Sequence, residues 1–254
     1  MATPMTVVIT GSTAGIGKAT AQQFAREGHN VILTGRREER NKELADELVN
    51  DYGVQVYHYQ LDVCERGQVQ TFVDSLPREW RKIDVLINNA GLAAGLSPVH
   101  EGDLDNWEQM IDTNVKGLLY LTRAVSPLMV EQEKGHIINI GSVAGFEVYP
   151  KGNVYSATKH AVHALTRSMR LDLLDHGIKV TTIAPGLVET EFSKVRFNWD
   201  EERADKVYEG YQPLTGEDVA DAIYYAASRP AHVNINELVL TPLDQGDSTT
   251  VRKH

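Results

Sequence analysis

Thr6-Val7-Val8-Ile9-Thr10-Gly11-Ser12-Thr13-Ala14-Gly15-Ile16-Gly17 runs directly into Lys18 to Glu27, where Ala19, Ala21, Phe24 and Ala25 recur at helical spacing. The β-branched run predicts a strand buried on both faces, as in a parallel sheet. The glycines predict a sharp turn, and the apolar stripe predicts a helix folded back on the strand. Gly11 permits the turn, Gly15 lets a pyrophosphate approach the backbone, and Gly17 lets helix and strand come close. The helix N-terminus then faces the phosphates. The spacing G-x-x-x-G-x-G departs from the general dinucleotide fingerprint G-x-G-x-x-G, so the rest of the chain has to supply the context.

That context is regular alternation. Strands are expected at 30–34, 54–61, 83–87, 136–140 and 179–184. Helices are expected at 38–50, 66–76, 107–130 and 157–174, with a last helix at 217–227 and a last strand at 237–241. This order predicts an α/β fold over 1–254, a single-domain doubly wound parallel sheet (Rossmann fold) with helices on both faces. The polar, aromatic-studded stretch 187–213 follows a strand's carboxyl end and is too long for an ordinary connection, so it is expected to be a substrate lid. The polar stretch 245–254 is expected to be a mobile tail.

Composition narrows the function. With 25 Lys and Arg against 35 Asp and Glu, the net charge is −10, which argues against a nucleic-acid or anionic-membrane partner. The single cysteine, Cys64, has no partner for an internal disulfide and fits a reducing compartment. Met1 to Met5 enter the first strand with no room for a leader, and no apolar run reaches the roughly 20 residues that span a bilayer. A cytoplasmic protein is expected, and no metal-ligating set is identified.

The second strand ends in Gly35-Arg36-Arg37, where an NAD site would place an acid on the ribose hydroxyls. Arginines suit a 2′-phosphate instead, Arg36 first and Arg37 next, so NADP is the expected cofactor. Asp62-Val63 and Asn88-Asn89-Ala90-Gly91 fall at further strand ends, where open α/β sheets bind ligands. Asn114 lies inside a helix, a poor place by propensity, and needs a polar partner.

Gly141-Ser142 closes another strand, and Tyr155 and Lys159 are 159 − 155 = 4 apart, about one helical turn. A free tyrosine titrates near 10, and a fixed ammonium is one of the few ways to favour its phenolate at neutral pH. Ser142 could hold a substrate oxygen while Tyr155 moves its proton, which is chemistry on an alcohol or a carbonyl.

Taken together, Thr10-Gly11-x-x-x-Gly15-Ile16-Gly17, Asn88-Asn89-Ala90-Gly91, Asn114, Ser142, Tyr155-x-x-x-Lys159 and Pro185-Gly186 resemble the short-chain dehydrogenase/reductase family over nearly the whole chain. The resemblance implies that Tyr155 is the general acid/base. Lys159 lowers its pKa and binds the nicotinamide ribose, Ser142 orients the substrate oxygen, and Asn114 holds a relay water through the main chain of a bent helix. It also implies cofactor contacts at Gly11, Thr13, Gly15, Ile16, Gly17, Arg36, Arg37, Asp62, Val63, Asn89, Ala90, Gly91, Tyr155, Lys159, Pro185, Gly186, Val188 and Thr190. Ala14 stands where NADP-preferring members often carry a basic residue, which leaves NAD as second choice.

Within the family, 186–197 and 229–236 resemble the NADP-dependent serine, L-allo-threonine and 3-hydroxy acid dehydrogenases. The implied reaction is reversible hydride transfer between NADP and the 3-hydroxyl, or 3-oxo group, of a small hydroxy acid such as 3-hydroxyisobutyrate. Arg196, ahead of Lys194 and Lys151, is the candidate cation for a substrate carboxylate, and Glu147 is a candidate for an ammonium. Phe146, Tyr149 and Phe192 could instead line a pocket for a larger apolar carbonyl, as in a broad carbonyl reductase or 3-oxoacyl reductase. A non-catalytic NADP-binding sensor is the alternative of another class. The resemblance further implies a homotetramer.

Overall fold

The computed structural model describes residues 4–254; Met1 to Thr3, on which the expectation about a leader partly rests, lie outside the described residues. Among the described residues seven strands form one sheet: β1 (Thr6–Thr10), β2 (Asn30–Gly35), β3 (Val56–Gln60), β4 (Val85–Asn88), β5 (Gly135–Ile140), β6 (Ile178–Pro185) and β7 (Glu237–Leu240). Their order is β3-β2-β1-β4-β5-β6-β7, and every pairing is parallel. The direction of winding reverses between β1 and β4, which opens a crevice at their carboxyl ends.

The connecting helices are α1 (Gly15–Arg26), α2 (Glu38–Tyr52), α3 (Arg66–Ser75), α4 (Leu104–Ile111), α5 (Leu118–Glu131) and α6 (Asn153–Asp172). The stretch 187–213 contributes α7 (Glu191–Arg196) and α8 (Glu201–Asp205), and α9 (Gly216–Ala227) precedes the last strand. Successive side chains of β1 point to opposite layers, as a strand requires. Val7 and Ile9 join Phe24 of α1 and Ile223 of α9. Val8 joins Phe72 of α3, Leu121 and Met129 of α5 and Leu86 of β4. All nine side chains are fully buried, and each contributes on the order of 2 kcal/mol of apolar burial.

Two boundaries differ from expectation for local reasons. The helix carrying Tyr155 starts at Asn153, not Ala157, so Tyr155 and Lys159 lie one turn apart within α6. The helix predicted at 107–130 is continuous from Leu104 to Glu131, but Asp112–Gly117 forms a wider π-helical turn around Asn114. The stretch 245–254, expected to be mobile, is instead tied to the body. Gln245 is buried and accepts from the Leu187 amide at 2.9 Å, and the His254 amide donates to the Gly210 carbonyl at 2.7 Å.

Candidate active site

The glycine turn shows what it leaves room for. A Cβ on Gly17 would lie 2.3 Å from the Gly11 carbonyl oxygen, so only glycine lets α1 approach the turn. Gly11 has φ +65, and a Cβ there would meet Asn89 Nδ2 at 3.1 Å. Asn89 braces the turn directly, its amide donating to the Thr10 carbonyl at 2.7 Å. Its backbone amide and that of Ala90 both donate to Thr10 Oγ1 at 2.9 Å.

Above this turn opens a cleft of about 1740 Å³, its solvent-facing mouth included. It is lined by Gly11, Thr13, Gly15 and Ile16 after β1, by Arg36 and Arg37 after β2 and Asp62 and Val63 after β3 on one side of that turn, and by Asn89, Ala90 and Gly91 after β4 on the other. Farther that way it is lined by Ser142 after β5, Tyr155 and Lys159 of α6, and Pro185, Gly186, Val188 and Thr190 at and after the end of β6. A long cleft with a side-chain-free phosphate turn at its middle, guanidinium groups at one end and a phenol at the other fits a dinucleotide phosphorylated on its adenosine ribose. Of the expected cofactor contacts, only Gly17 stands back from the wall; its part is the close packing just described.

Tyr155 and Lys159 are both buried. The Lys159 ammonium donates to the Ile140 carbonyl at 2.9 Å and lies 5.9 Å from the centre of the Tyr155 ring. Burial pulls the ammonium down to about 8. Burial pushes the Tyr155 phenol up to about 12, with Tyr149 adding to the rise and the Ser142 hydroxyl and Arg196 acting the other way. The loss of water around the buried phenolate outweighs the Arg196 charge near it.

Ser142 caps a short 3₁₀ turn by accepting from the Ala144 amide at 3.1 Å. That loop rests on His163, since a Cβ on Gly141 or Gly145 would come within 2.4 or 2.6 Å of its Nε2. Burial keeps His163 neutral, with its pKa down to about 4. Asn114 has the partners its position demands. Its Oδ1 accepts from the Leu92 amide at 2.8 Å, and its Nδ2 donates to the Leu92 carbonyl at 2.8 Å and to Thr158 Oγ1 at 3.1 Å.

Helix α7 reaches Tyr155 as well. The Phe192 ring meets it edge-on at 5.7 Å, and the Arg196 guanidinium lies 5.7 Å from its centre. Arg196 Nη2 donates to the Tyr149 hydroxyl at 2.8 Å, and Arg196 joins Lys151, Asn106 and Trp107 around a smaller cavity that shares Tyr155 with the main cleft. Three sequence candidates are not brought to the site. Phe146 is exposed and packs edge-on against His163. Glu147 Oε2 accepts from the Ser248 amide at 2.8 Å, which makes it an anchor of the tail instead of an ammonium ligand. Lys194 of α7 pairs with Glu201 of α8 at 3.0 Å.

Sequence reasoning missed Arg40 and Glu191. Arg37, not Arg36, is the arginine fixed against the turn, with Nε and Nη2 donating to Thr13 Oγ1 at 3.0 and 2.7 Å, while Arg36 is exposed at the cleft edge. Glu191 takes one hydrogen bond from Arg37 and one from Arg40. Arg40 was legible as a third cation one helical turn beyond Arg36; nothing in the sequence joins Glu191 to residues about 150 positions away.

Residues 5–201 match the short chain dehydrogenase family. The chain is 52% identical over 242 residues to the NADP-dependent 3-hydroxy acid dehydrogenase YdfG of Salmonella typhi, covering 95% of this chain and 96% of that protein. It is 42% identical over 240 residues to serine 3-dehydrogenase of Agrobacterium fabrum, covering 94% of each. The closed form of a serine dehydrogenase complexed with NADP+ superposes with a TM-score of 0.93 at 49% identity, over 98% of this chain and 99% of that one.

Proposed function

This chain belongs to the short-chain dehydrogenase family, and on that premise we propose that it is an NADP-dependent dehydrogenase of small 3-hydroxy acids, with serine, L-allo-threonine and 3-hydroxyisobutyrate as the substrate class. The observation that carries this reading is the buried phenol of Tyr155, set between Ser142 and the Lys159 ammonium at one end of a cleft whose other end holds Arg36 and Arg37. The coenzyme, when bound, accepts the hydride from the carbon bearing the hydroxyl in oxidation and returns it in reduction.

The protein's residues handle the proton and the fit. Ser142 holds the substrate oxygen, and Tyr155 takes the hydroxyl proton as the carbonyl forms, returning it in the reverse direction. Lys159, charged at neutral pH with a pKa of about 8, favours the phenolate that this exchange creates. Asn114 holds Leu92 and the wide helical turn in place, and the main chain of that turn is where a relay water would sit. The Arg196 guanidinium is the cation for a substrate carboxylate, supported by its place beside Tyr155.

A panel of L-serine, L-allo-threonine, 3-hydroxyisobutyrate and ethyl acetoacetate with both coenzymes tests the reading. Turnover of the acids with NADP, lost by about a thousandfold in Tyr155→Phe with coenzyme affinity intact, is the expected outcome. Preference for the uncharged ester would favour a broad carbonyl or 3-oxoacyl reductase, a reading that the aromatic pair Tyr149 and Phe192 supports. Tight NADP binding with no turnover at all would point to a sensor.

We also assign it a homotetramer, supported by exposed apolar side chains, Leu104, Leu171, Leu174, Tyr225, Val239 and Leu243 among them. Sedimentation at working concentration tests it, a monomer being the contrary result. No helix among the described residues is long and apolar enough to cross a membrane, and the unpaired Cys64 supports work in the cytoplasm.

A further inference from the structure

Glu191 opens the first lid helix, directly after Thr190, whose side chain caps that helix. Each of its carboxylate oxygens is held by a different guanidinium: Oε2 by Arg37 Nη1 at 2.8 Å and Oε1 by Arg40 Nη1 at 2.9 Å. Arg37 is in turn held on its other edge by Thr13 of the glycine turn. A continuous chain of contacts therefore runs from the turn through Arg37 to α7, the helix that carries Phe192 and Arg196 to Tyr155. An isolated surface pair contributes little, but a carboxylate bridging two arginines, one of them already oriented, is a network. Burial acts to raise the Glu191 carboxyl, yet the hydrogen bonds and charges of Arg37 and Arg40 hold it below the ordinary carboxylate value.

We infer that Glu191 is a positioning residue that fastens the lid to the arginines at the coenzyme-phosphate end, so that the closure placing Phe192 and Arg196 over Tyr155 is anchored at the opposite end of the cleft. The charges are matched to that task. Arg36, Arg37 and Arg40 carry three positive charges, and Glu191 removes one, which leaves two for a 2′-phosphate dianion. Anchoring the lid and reading that phosphate thus use the same guanidinium groups. The second of these roles rests on the NADP reading proposed above; the anchoring does not.

The test compares Glu191→Gln, Arg40→Gln and the double variant in three measurements. Glu191→Gln raises the KM for the acid substrate about tenfold with kcat changed little, and the Arg40→Gln and double variants show no more than that, because partners in one contact are not additive. Trypsin, with no coenzyme present, cuts the lid at Lys194, Arg196, Arg203 or Lys206 about tenfold faster in Glu191→Gln than in the wild type, since cleavage tracks the population of the open lid. In a fluorescence titration Glu191→Gln binds NADP at least as tightly as the wild type, because its loss frees positive charge. Unchanged KM and trypsin cleavage would overturn the inference, as would effects of the two single variants that multiply independently. Parallel loss of NADP and NAD binding would also overturn it, showing a merely structural role. If the wild type binds NAD as tightly as NADP, the coenzyme reading fails, and the trypsin measurement still decides the anchoring.

Discussion

Lys159 is charged in a place that disfavours charge, and the two states of the chain feel this differently. Folded, it titrates at about 8 because burial penalises the ammonium, against 10.5 for a free lysine. Below pH 8 both states hold the proton and the folded protein carries the whole cost. Between 8 and 10.5 the unfolded chain still holds a proton that the folded chain has released, so stability rises with pH until the cost is gone. Lys159→Met is therefore expected to abolish turnover yet stabilise the coenzyme-free protein near pH 7 by on the order of 2 kcal/mol, the gain fading by pH 10.5. Urea unfolding at pH 7 and pH 10 checks this. Four-residue spacing was enough to pair Tyr155 with Lys159 in advance, because a helix converts spacing into proximity. The upward shift of Tyr155 was not legible, since it depends on how completely the fold buries the phenol and on Tyr149 beside it.

At the scale of elements, the glycine turn and the helix after it were readable from Thr6 to Gly17 because each residue's constraint is local. Gly17 marks where that constraint is absolute. Gly17→Ala would set a methyl carbon 2.3 Å from the Gly11 carbonyl oxygen, and backbone cannot swing aside as a flexible side chain can. A cost of about 1–3 kcal/mol and a coenzyme affinity at least about tenfold weaker are expected. Gly67, helical and with nothing within 4 Å of its would-be Cβ, is the control: Gly67→Ala should raise stability by up to about 1 kcal/mol. Thermal unfolding and coenzyme titration of both variants separate steric exclusion from helix propensity. The widened turn at Asp112–Gly117 was foreshadowed only by one misfit, Asn114, because its cause lies in Leu92 and Thr158, on segments that no helical periodicity connects to it.

For the molecule as a whole, alternation of strand and helix announced the wound sheet, but polarity misjudged the last ten residues. Gln245 lies so close to Gly186 that a Cβ there would touch its Oε1, Asp244 pairs with Arg252 at 2.5 Å, and Ser248 reaches Glu147. Side chains that look solvated in a sequence find partners once the strand ends converge. Removing 245–254 is expected to lower the thermal midpoint by a few degrees, about 2–4 °C for each kcal/mol lost in a chain of this size, and to leave the lid more open to protease. Calorimetry with timed digestion measures both, and an unchanged midpoint would return these residues to the status of free tail.

The strand order has a consequence for the chain's birth. β1 is made first but ends in the middle of the sheet, between β2 and β4, and its second neighbour is not complete until Asn88. During synthesis at roughly 5–20 residues per second, β1, β2 and β3 must therefore wait several seconds with an unpaired, strongly apolar edge. Closing that edge joins residues about 80 positions apart, a loop-closure step of the kind that makes parallel sheets slow to form. The crevice between β1 and β4, where the coenzyme is proposed to lie, is thus the seam along which the nascent chain is exposed longest to aggregation.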